Sequence, residues 1–204
     1  EISADVQQYE LIDQDINDLS SVSYIEQSWY GKSLWLWLLW PLSLLTKFIS
    51  KRKREKFITQ PHSSWKADVP LIVVGNIVVG GTGKTPMVIW ITKLLEKNGY
   101  KPGIVSRGYG GSSPKNPIIV SDDTSVDVSG DEPLIIYKNT QRPVCISSNR
   151  ISAANKLIRE TDTNIIISDD GLQHYSMSRD LEIVVFDGNR GIGNGLCLPA
   201  GPLR

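Results

Sequence analysis

Short runs of Val, Ile and Leu recur between residues 69 and 186, and most of them lack alternating polar positions. Such continuous runs are typical of strands that are buried on both faces of a parallel sheet. Segments with helical spacing separate the runs, and this alternation predicts an α/β domain over 67–204 with a doubly wound, mostly parallel sheet. The candidate strands are Leu71–Val74, Ile104–Val105, Ile118–Val120, Val144–Ile146, Ile165–Ile167 and Ile183–Phe186, and the candidate helices are Lys84–Asn98, Glu132–Lys138 and Arg150–Glu160.

A second apolar pattern precedes this domain, in the 13 uncharged residues 34–46, which contain only Leu, Trp, Pro, Ser and Thr. This length is below the ~20 residues that a helix needs to span a bilayer. Trp side chains favour the headgroup boundary of a membrane. Four of the six Trp residues lie in this segment or just before it, namely Trp29, Trp35, Trp37 and Trp40.

The basic run Lys51–Arg54 follows the apolar segment closely. An apolar stretch combined with a basic cluster binds the interface of an anionic membrane. We therefore predict that a helix around Trp35–Ile49 lies in the membrane interface, with Pro41 kinking or dividing it. The alternative is a buried helix that packs on the domain and is followed by a solvated basic tail.

The formal net charge is zero, with 22 basic and 22 acidic residues, so no overall field favours nucleic acid as a partner. The balance conceals an asymmetry, because 1–28 carry seven acidic residues and no Lys or Arg, whereas 29–66 carry eight basic residues and one acidic residue. We expect 1–28 to be a poorly ordered acidic lead-in and 29–66 to form the interface helix and a basic segment. Cys145 and Cys197 are too few for a disulfide framework or a four-ligand zinc site.

The first candidate strand leads into a glycine-rich loop that ends in Gly83-Lys84-Thr85 at the start of a helix. This is the P-loop arrangement, in which backbone N–H groups and the helix N-terminus bind phosphate. Lys84 would reach the β- and γ-phosphates, and the Thr85 hydroxyl would bind Mg²⁺. The loop is a variant, because Val78 occupies the first Gly position of the strict pattern. The predicted nucleotide-binding residues are Val78, Val79, Gly80, Gly81, Thr82, Gly83, Lys84 and Thr85.

Two adjacent acidic residues, Asp169 and Asp170, follow the run Ile165–Ile167 after one serine. A carboxylate at the end of a buried strand is a Walker-B-like metal ligand when a P-loop is present. Two neighbouring carboxylates repel each other unless a cation or a proton separates them, and Mg²⁺–ATP supplies the cation. We predict Thr85, Asp169 and Asp170 as metal ligands. His174 either contacts phosphate or only hydrogen-bonds the loop.

Three further polar residues follow candidate strands or open candidate helices. Arg107 either pairs with a phosphate through its planar guanidinium or is a solvated turn residue. Asp131 either caps a helix or accepts a hydroxyl proton, as a kinase requires, and spacing alone leaves both roles open. Arg150 follows another strand, so we expect it to face the same crevice.

Six segments together resemble the tetraacyldisaccharide 4′-kinase family, the lipid A 4′-kinases of Gram-negative bacteria. They occur in the family's order and extend over about 29–204. The segments are the Trp-rich helix with Pro41-Leu42-Ser43-Leu44-Leu45, VVGNIVVGGTGKTP at 73–86, SRGYGG at 106–111, GDEP at 130–133, DDGLQH at 169–174 and GNGLCLPAGPLR at 193–204.

The resemblance implies a kinase that uses ATP and Mg²⁺ to phosphorylate the 4′-hydroxyl of a lipid A precursor, a tetraacylated glucosamine disaccharide 1-phosphate. It implies Asp131 as the general base, with Lys84 and Asp170 at the phosphoryl centre. It also implies attachment to the cytoplasmic face of the bacterial inner membrane, with no nucleic acid and no obligate protein partner. The implied substrate or phosphate contacts are Asn76, Arg107, Arg150, His174 and Arg204.

The family pattern continues beyond Arg204 with a Glu and then a second lobe, whose His pairs with the general base. Neither lies within 1–204, so we expect 67–204 to be a truncated kinase domain that binds nucleotide weakly and turns over poorly. Two other interpretations compete with a kinase. One is a membrane-tethered nucleotide switch that dimerises over ATP, although Val79 stands where such switches often carry Lys. The other is a membrane-bound binding module whose loop is empty.

Overall fold

The computed structural model describes residues 24–31, 33–59, 64–112 and 114–204. Residues 1–23 of the predicted acidic lead-in lie outside this description. The chain divides into two compact units. One extends to Lys47 and includes Ile192–Arg204, and the other is Phe48–Gly191.

The amino-terminal part of the described chain is helical. It forms α1 (Tyr24–Tyr30), a 3₁₀ helix (Leu34–Leu39) and α2 (Trp40–Thr59). The predicted division at Pro41 is present, because the 3₁₀ helix ends at Leu39 and Pro41 lies in the first turn of α2, where its missing N–H breaks no helical bond. Among the described helices, none combines the length and the apolar character needed to cross a membrane.

Within the smaller unit, the carboxyl-terminal segment is held by hydrogen bonds to the helical part. The indole nitrogen of Trp29 donates to the carbonyl of Pro199 at 3.0 Å. The Ser43 hydroxyl donates to the carbonyl of Cys197 at 2.6 Å and accepts from the backbone N–H of Ala200 at 3.0 Å. Trp29 and Ser43 are buried as a result, although both belong to the segment predicted to meet a membrane.

Six strands form one sheet in the larger unit. The order is β3-β4-β2-β5-β1-β6, and all neighbouring pairs are parallel except β3 with β4. The predicted α/β class with a mostly parallel sheet is therefore confirmed. The strands are β1 (Leu71–Gly75), β2 (Pro102–Ser106), β3 (Ile118–Ile119), β4 (Val144–Ile146), β5 (Ile165–Asp169) and β6 (Leu181–Val184).

The continuous apolar runs arise because the central strands are covered on both faces. In β1, Ile72 and Val74 belong to one hydrophobic cluster, whereas Leu71 and Val73 belong to another. Successive side chains of a strand point to opposite faces, so both faces must be apolar when both are buried. Every residue of β1, β2, β4 and β5 is buried.

The last strand begins two residues earlier than predicted, at Leu181 instead of Ile183. The reason is its pairing with β1, which starts where the Asp180 carboxylate accepts from the N–H of Leu71 at 2.8 Å. The pairing ends at Gly75, opposite Val184, because the chain leaves β1 there. Phe186 therefore lies beyond the strand.

The described residues of the larger unit form four more helices: α3 (Lys84–Lys97), α4 (Val126–Ser129), α5 (Asp131–Thr140) and α6 (Arg150–Glu160). The bounds of α6 match the prediction, and α4 was not predicted. The side chain of Asn149 caps α6 by accepting from the N–H groups of Ile151 and Ser152. Helices α3, α5 and α6 each begin shortly after a parallel strand or a glycine turn, so their first residues lie near the carboxyl edge of the sheet.

Candidate functional site

The loop between β1 and α3 exposes its backbone. Gly80 has φ +111° and Gly83 has φ +80°, values that favour glycine. A Cβ atom added at Gly80, Gly81 or Gly83 would meet no heavy atom within 4 Å. The space beside these peptides is therefore open, and an anion can approach their N–H groups closely.

Buried polar atoms support this loop from below. The Asn76 amide donates to the carbonyls of Val78 at 2.6 Å and Gly80 at 3.4 Å, so it braces the loop. The sequence made Asn76 a candidate substrate contact, and the structure adds this bracing role. The Thr82 hydroxyl is buried and has no hydrogen-bond partner among the residues that the structure describes. A buried polar atom without a partner is costly, which favours a ligand with polar atoms at this loop.

Lys84 and Asp170 come together at the edge of the sheet. The Lys84 ammonium lies 4.0 Å from a carboxylate oxygen of Asp170. The register brings them close, because β1 and β5 are neighbours and pair Val74 with Asp169. Asp170 has φ +50°, a left-handed conformation that Asp tolerates better than most residues. This turn directs the chain away from the sheet immediately after β5.

Asp169 is buried beside this pair, with 2% of its surface exposed. Burial, together with the charges of Glu132 and Asp170, raises its pKa to about 6 against the opposing effect of Lys84. The Ser106 hydroxyl donates to one carboxylate oxygen at 3.3 Å, and the other oxygen is buried with no partner in the described part of the chain. The structure thus holds an acidic group in a position where a cation would stabilise its charged form.

The guanidinium of Arg150 bonds to the backbone of the acidic turn. Its Nη2 atom donates to the carbonyl oxygens of Asp169 at 3.2 Å and Asp170 at 2.9 Å. Arg150 is 8% exposed and is the first residue of α6. The expectation that it faces the same crevice as the acidic pair agrees with this position. Its described hydrogen bonds make it a support of the turn, in addition to the predicted phosphate contact.

His174 is half-buried close to several cations. Burial, together with the positive charges of Arg150, Lys53, Arg179 and Arg107, lowers its pKa to about 4. The imidazole is therefore neutral at pH 7 and can offer one donor and one acceptor. The sequence left two roles open for His174. In the first of them, a contact with phosphate, the ring would be neutral.

The loop after β2 packs against the start of α5, and this contact joins two of the sequence motifs. A Cβ atom added at Gly130, where φ is +76°, would collide with the carbonyl oxygen of Tyr109. The backbone of Gly111 lies against Ser129 and Gly130 in the same way. Arg107, in the loop after β2, and Asp131, at the start of α5, are thus exposed residues of two segments that pack together.

The remaining predicted contact, Arg204, lies in the smaller unit at the end of Ile192–Arg204. Sequence reasoning missed two residues at the acidic turn, Ser106 and Glu132. Each adjoins a predicted residue, since Ser106 precedes Arg107 and Glu132 follows Asp131. Adjacency was the only signal available for them.

The residues present fit a nucleotide phosphate with a bound cation. In the described part of the chain, no group of three or more His, Cys, Asp or Glu side chains forms a metal cage by itself. Mg²⁺ is usually held by only one or two carboxylates together with substrate phosphates and water. Asp169, one oxygen of which has no hydrogen-bond partner among the described residues, and the adjacent Asp170 are two carboxylates of this kind. Thr85, the third predicted ligand, lies in the first turn of α3.

Comparison with known proteins identifies close relatives of this chain. The family model described as tetraacyldisaccharide-1-P 4′-kinase matches residues 35–204. The tetraacyldisaccharide 4′-kinase of Pasteurella multocida is 52% identical over 179 residues, 87% of this chain and 55% of the relative. That of Vibrio campbellii is 48% identical over 184 residues, 88% of this chain and 55% of the relative. The chain therefore spans about half the length of the curated relatives it matches.

A solved structure is also similar to the chain. The crystal structure described as the "apo" form of LpxK from Aquifex aeolicus in complex with ATP aligns with a TM-score of 0.74 and 31% identity. The alignment covers 84% of this chain and 54% of the crystallised chain.

Proposed function

The chain belongs to the tetraacyldisaccharide-1-P 4′-kinase family, and from this premise we propose that the protein transfers the γ-phosphate of ATP to the 4′-hydroxyl of a tetraacylated glucosamine disaccharide 1-phosphate. The observation that carries the proposal is the approach of Lys84 to Asp170, 4.0 Å apart beside an open glycine loop. A cation and a carboxylate held together at a helix N-terminus are what a P-loop kinase needs for its phosphates and its metal.

The loop Val78–Thr85 would bind the phosphates of ATP in a P-loop NTPase-like fold. Its N–H groups and the positive end of α3 would face the β-phosphate, and Lys84 would pair with the β- and γ-phosphates. As negative charge spreads over the transferring group, these fixed donors stabilise it without having to reorganise. The ammonium of Lys84 would exchange its contact with Asp170 for the γ-phosphate when ATP binds.

Thr85, Asp169 and Asp170 would hold Mg²⁺. When bound, this ion neutralises charge on the β- and γ-phosphate oxygens. The buried position of Asp169 then has a function, because a carboxylate whose charged form is disfavoured gains most from a cation. Arg150 would keep both carboxylates in position through the backbone of the turn.

Asp131 would act as the general base. Its exposed carboxylate at the start of α5 would accept the proton of the 4′-hydroxyl while that oxygen bonds to the γ-phosphorus and the bond to the ADP oxygen breaks. The Gly130–Tyr109 contact supports this assignment, since it fixes the start of α5 against the loop that carries Arg107. Arg107, His174 and Arg204 would contact the phosphates or the acceptor.

A membrane interface is where the lipid acceptor would be met. Large apolar side chains of the smaller unit support this part of the proposal, because they are exposed to an unusual degree: Leu34 (81%), Trp37 (68%), Leu38 (83%) and Leu42 (51%). A contiguous exposed apolar surface marks an interaction site. We propose that it lies in the cytoplasmic face of the bacterial inner membrane, with the run Lys51–Arg54 near anionic headgroups.

The test is transfer of radiolabel from [γ-³²P]ATP to the acylated disaccharide 1-phosphate in mixed micelles. It is made with the 204-residue chain and with a chain extended to the relatives' length. Lys84→Ala should lower kcat/KM by at least about a hundredfold, as for other lost transition-state donors. Lys93→Ala, an exposed lysine of α3, is the matched control.

Three results are informative. Labelled lipid that depends on Lys84 and not on Lys93 supports the kinase. Release of inorganic phosphate without labelled lipid would instead indicate the nucleotide switch. Absence of both nucleotide binding and turnover in either chain would indicate the binding module with an empty loop.

A further inference from the structure

A cleft of about 480 Å³ lies in the larger unit, and none of the residues 78–85 lines it. One wall comes from α2, through Arg54 and Phe57, and the other comes from the chain around β6, through Tyr175, Arg179 and Glu182. We call it the α2 cleft. It has no role in the transfer mechanism described above.

The walls of the α2 cleft are preformed. The rings of Phe57 and Tyr175 stack with their centroids 6.0 Å apart. The Arg179 guanidinium lies 5.4 Å from the centroid of Tyr175, pairs with Glu182 at 3.0 Å and donates to the carbonyl of Leu172 at 3.1 Å. These contacts fix Arg179 before any ligand binds, so little ordering entropy is lost on binding.

Positive charge is concentrated at this cleft. Arg54 is exposed on α2, and in the part of the chain that the structure describes no carboxylate pairs with it. His174 experiences the charges of Lys53 and Arg179 as well as those of Arg107 and Arg150. The acidic turn and the α2 cleft thus both have cations close to His174. Glu182 offsets the charge of Arg179 at the cleft, so Arg54 supplies the positive charge that favours an anion there.

The α2 cleft also adjoins the residues proposed to transfer phosphate. Ile77 lines it and directly precedes the loop residue Val78. Leu172 lines it too, lies two residues after Asp170, and would contact a Cβ atom added at Gly75 at 2.7 Å. An acceptor with its hydroxyl at the γ-phosphate therefore has a second, cationic site beside it.

We propose that the α2 cleft binds the phosphate at position 1 of the acceptor disaccharide, through Arg54 and Arg179. This inference rests on the proposed function, and it assigns the subsite that distinguishes a disaccharide 1-phosphate from an uncharged glycolipid. The guanidinium fork of Arg54 suits a phosphate monoester. Arg179, whose Nη1 already bonds to Glu182 and Leu172, adds the donors of its other nitrogens. The phosphate of a bilayer phospholipid has the same chemistry and is the other possible source.

Equilibrium binding in neutral detergent micelles tests the proposal. The probes are a short-chain acylated glucosamine disaccharide with its 1-phosphate and the same compound without it. Arg54→Gln should weaken binding of the phosphorylated probe by roughly tenfold, the loss of one charge-assisted hydrogen bond, and leave the other probe unaffected. Arg54→Lys keeps the charge without the fork and should recover part of the affinity.

Lys56→Gln is the matched control. The substitution removes one positive charge from the same helix. Lys56 lies about 160° from Arg54 around the helix axis and does not line the cleft. Equal losses for Arg54→Gln and Lys56→Gln, or equal losses for both probes, would overturn the proposal. Such results would mean that the cleft contributes only general electrostatic attraction.

A second arm identifies the source of the phosphate. Co-sedimentation with phosphatidylglycerol vesicles that lack the disaccharide is measured for the same variants. If only this binding depends on Arg54, the cleft binds bilayer lipid and the proposal is wrong. Label transfer measured in parallel separates the two ideas. If label is transferred but the preference for the phosphorylated probe does not depend on Arg54, only the subsite proposal is wrong. If that preference depends on Arg54 but no label is transferred, only the kinase proposal is wrong.

Discussion

The carboxyl edge of the sheet and the helical segment 34–45 reverse the usual distribution of residues in opposite ways. At the edge, the charged groups Asp169 and Arg150 are buried. Along the helical segment, Leu34, Trp37 and Leu38 are largely exposed. Buried charge and exposed apolar surface both cost free energy in water. On the proposed function, a cation and phosphate would offset this cost at the edge, and a membrane interface would offset it at the helices.

The largest expected effect is on kcat, and it comes from Asp131, the proposed general base. Asp131→Asn should lower kcat by about 10²–10⁴, the usual contribution of general acid–base catalysis, and should leave ATP affinity nearly unchanged. Steady-state kinetics combined with nucleotide-binding titration measures both. Asp127→Asn, another exposed acid of the same region, serves as control. Equal kcat values for Asp131→Asn and the unmodified protein would remove Asp131 from the chemistry.

The helical segment supplies the next effect. Replacing Trp37 and Trp40 by Ser should weaken binding to anionic vesicles by roughly a hundredfold, because each exposed ring contributes on the order of 1.5 kcal/mol or more when it is buried. Trp90→Ser removes an exposed tryptophan from α3 and should have no effect. Vesicle co-sedimentation is the measurement. If Trp90→Ser released the protein as strongly, the segment 34–45 would not be the membrane-binding surface.

A pH effect on stability follows from the buried carboxylate. Because folding raises the pKa of Asp169 from 3.8 to about 6, the native state binds the proton more tightly than the unfolded state. The contribution of Asp169 to the free energy of unfolding is therefore most favourable below pH 4, and it declines as the pH rises to about 6. The decline should be about 2–3 kcal/mol.

Urea unfolding of the unmodified protein and of Asp169→Asn, without Mg²⁺, at pH 4 and pH 7 measures this decline. The variant should be less sensitive to pH by that amount, and Asp123→Asn, at an exposed loop position, should behave like the unmodified protein. Parallel pH profiles for all three would mean that Asp169 is charged without penalty in the folded protein.

The smallest effect sharpens the same comparison. Ser106→Ala removes the one hydroxyl described as donating to Asp169 and should destabilise the protein by about 1 kcal/mol at pH 7. The loss should disappear at pH 4, where the carboxyl is protonated. Ser112→Ala, at an exposed loop position, is the control. Denaturant midpoints at both pH values give the answer, and a loss that is independent of pH would assign Ser106 to packing alone.

Local pattern was sufficient for the strands and helices whose burial is uniform. The runs 144–146 and 150–160 were predicted to the residue, because both faces of the strand are apolar and Asn149 provides a capping side chain. The strand at 181–184 was displaced because its limits depend on pairing with β1. The helix through the basic run was also longer than expected, and good helix formers with the Lys51–Glu55 pair at 3.7 Å account for its extension.

The site was predictable as a set of strand ends and less so as a set of contacts. The approach of Lys84 and Asp170 at the carboxyl ends of neighbouring strands follows from the P-loop and the acidic strand end. The bonds from Arg150 to two carbonyls, and the field of Glu132 at Asp169, arise between segments that are distant in the chain. No spacing rule reports such contacts, which explains why Glu132 and Ser106 were missed.

Arg150 donates hydrogen bonds to two consecutive carbonyl oxygens, and these bonds couple the position of α6 to that of the acidic turn. A tilt of that helix would displace the peptide units of Asp169 and Asp170, and both carboxylates would change position together. Substitutions on the outer face of α6 should therefore alter the proposed metal site without replacing either aspartate.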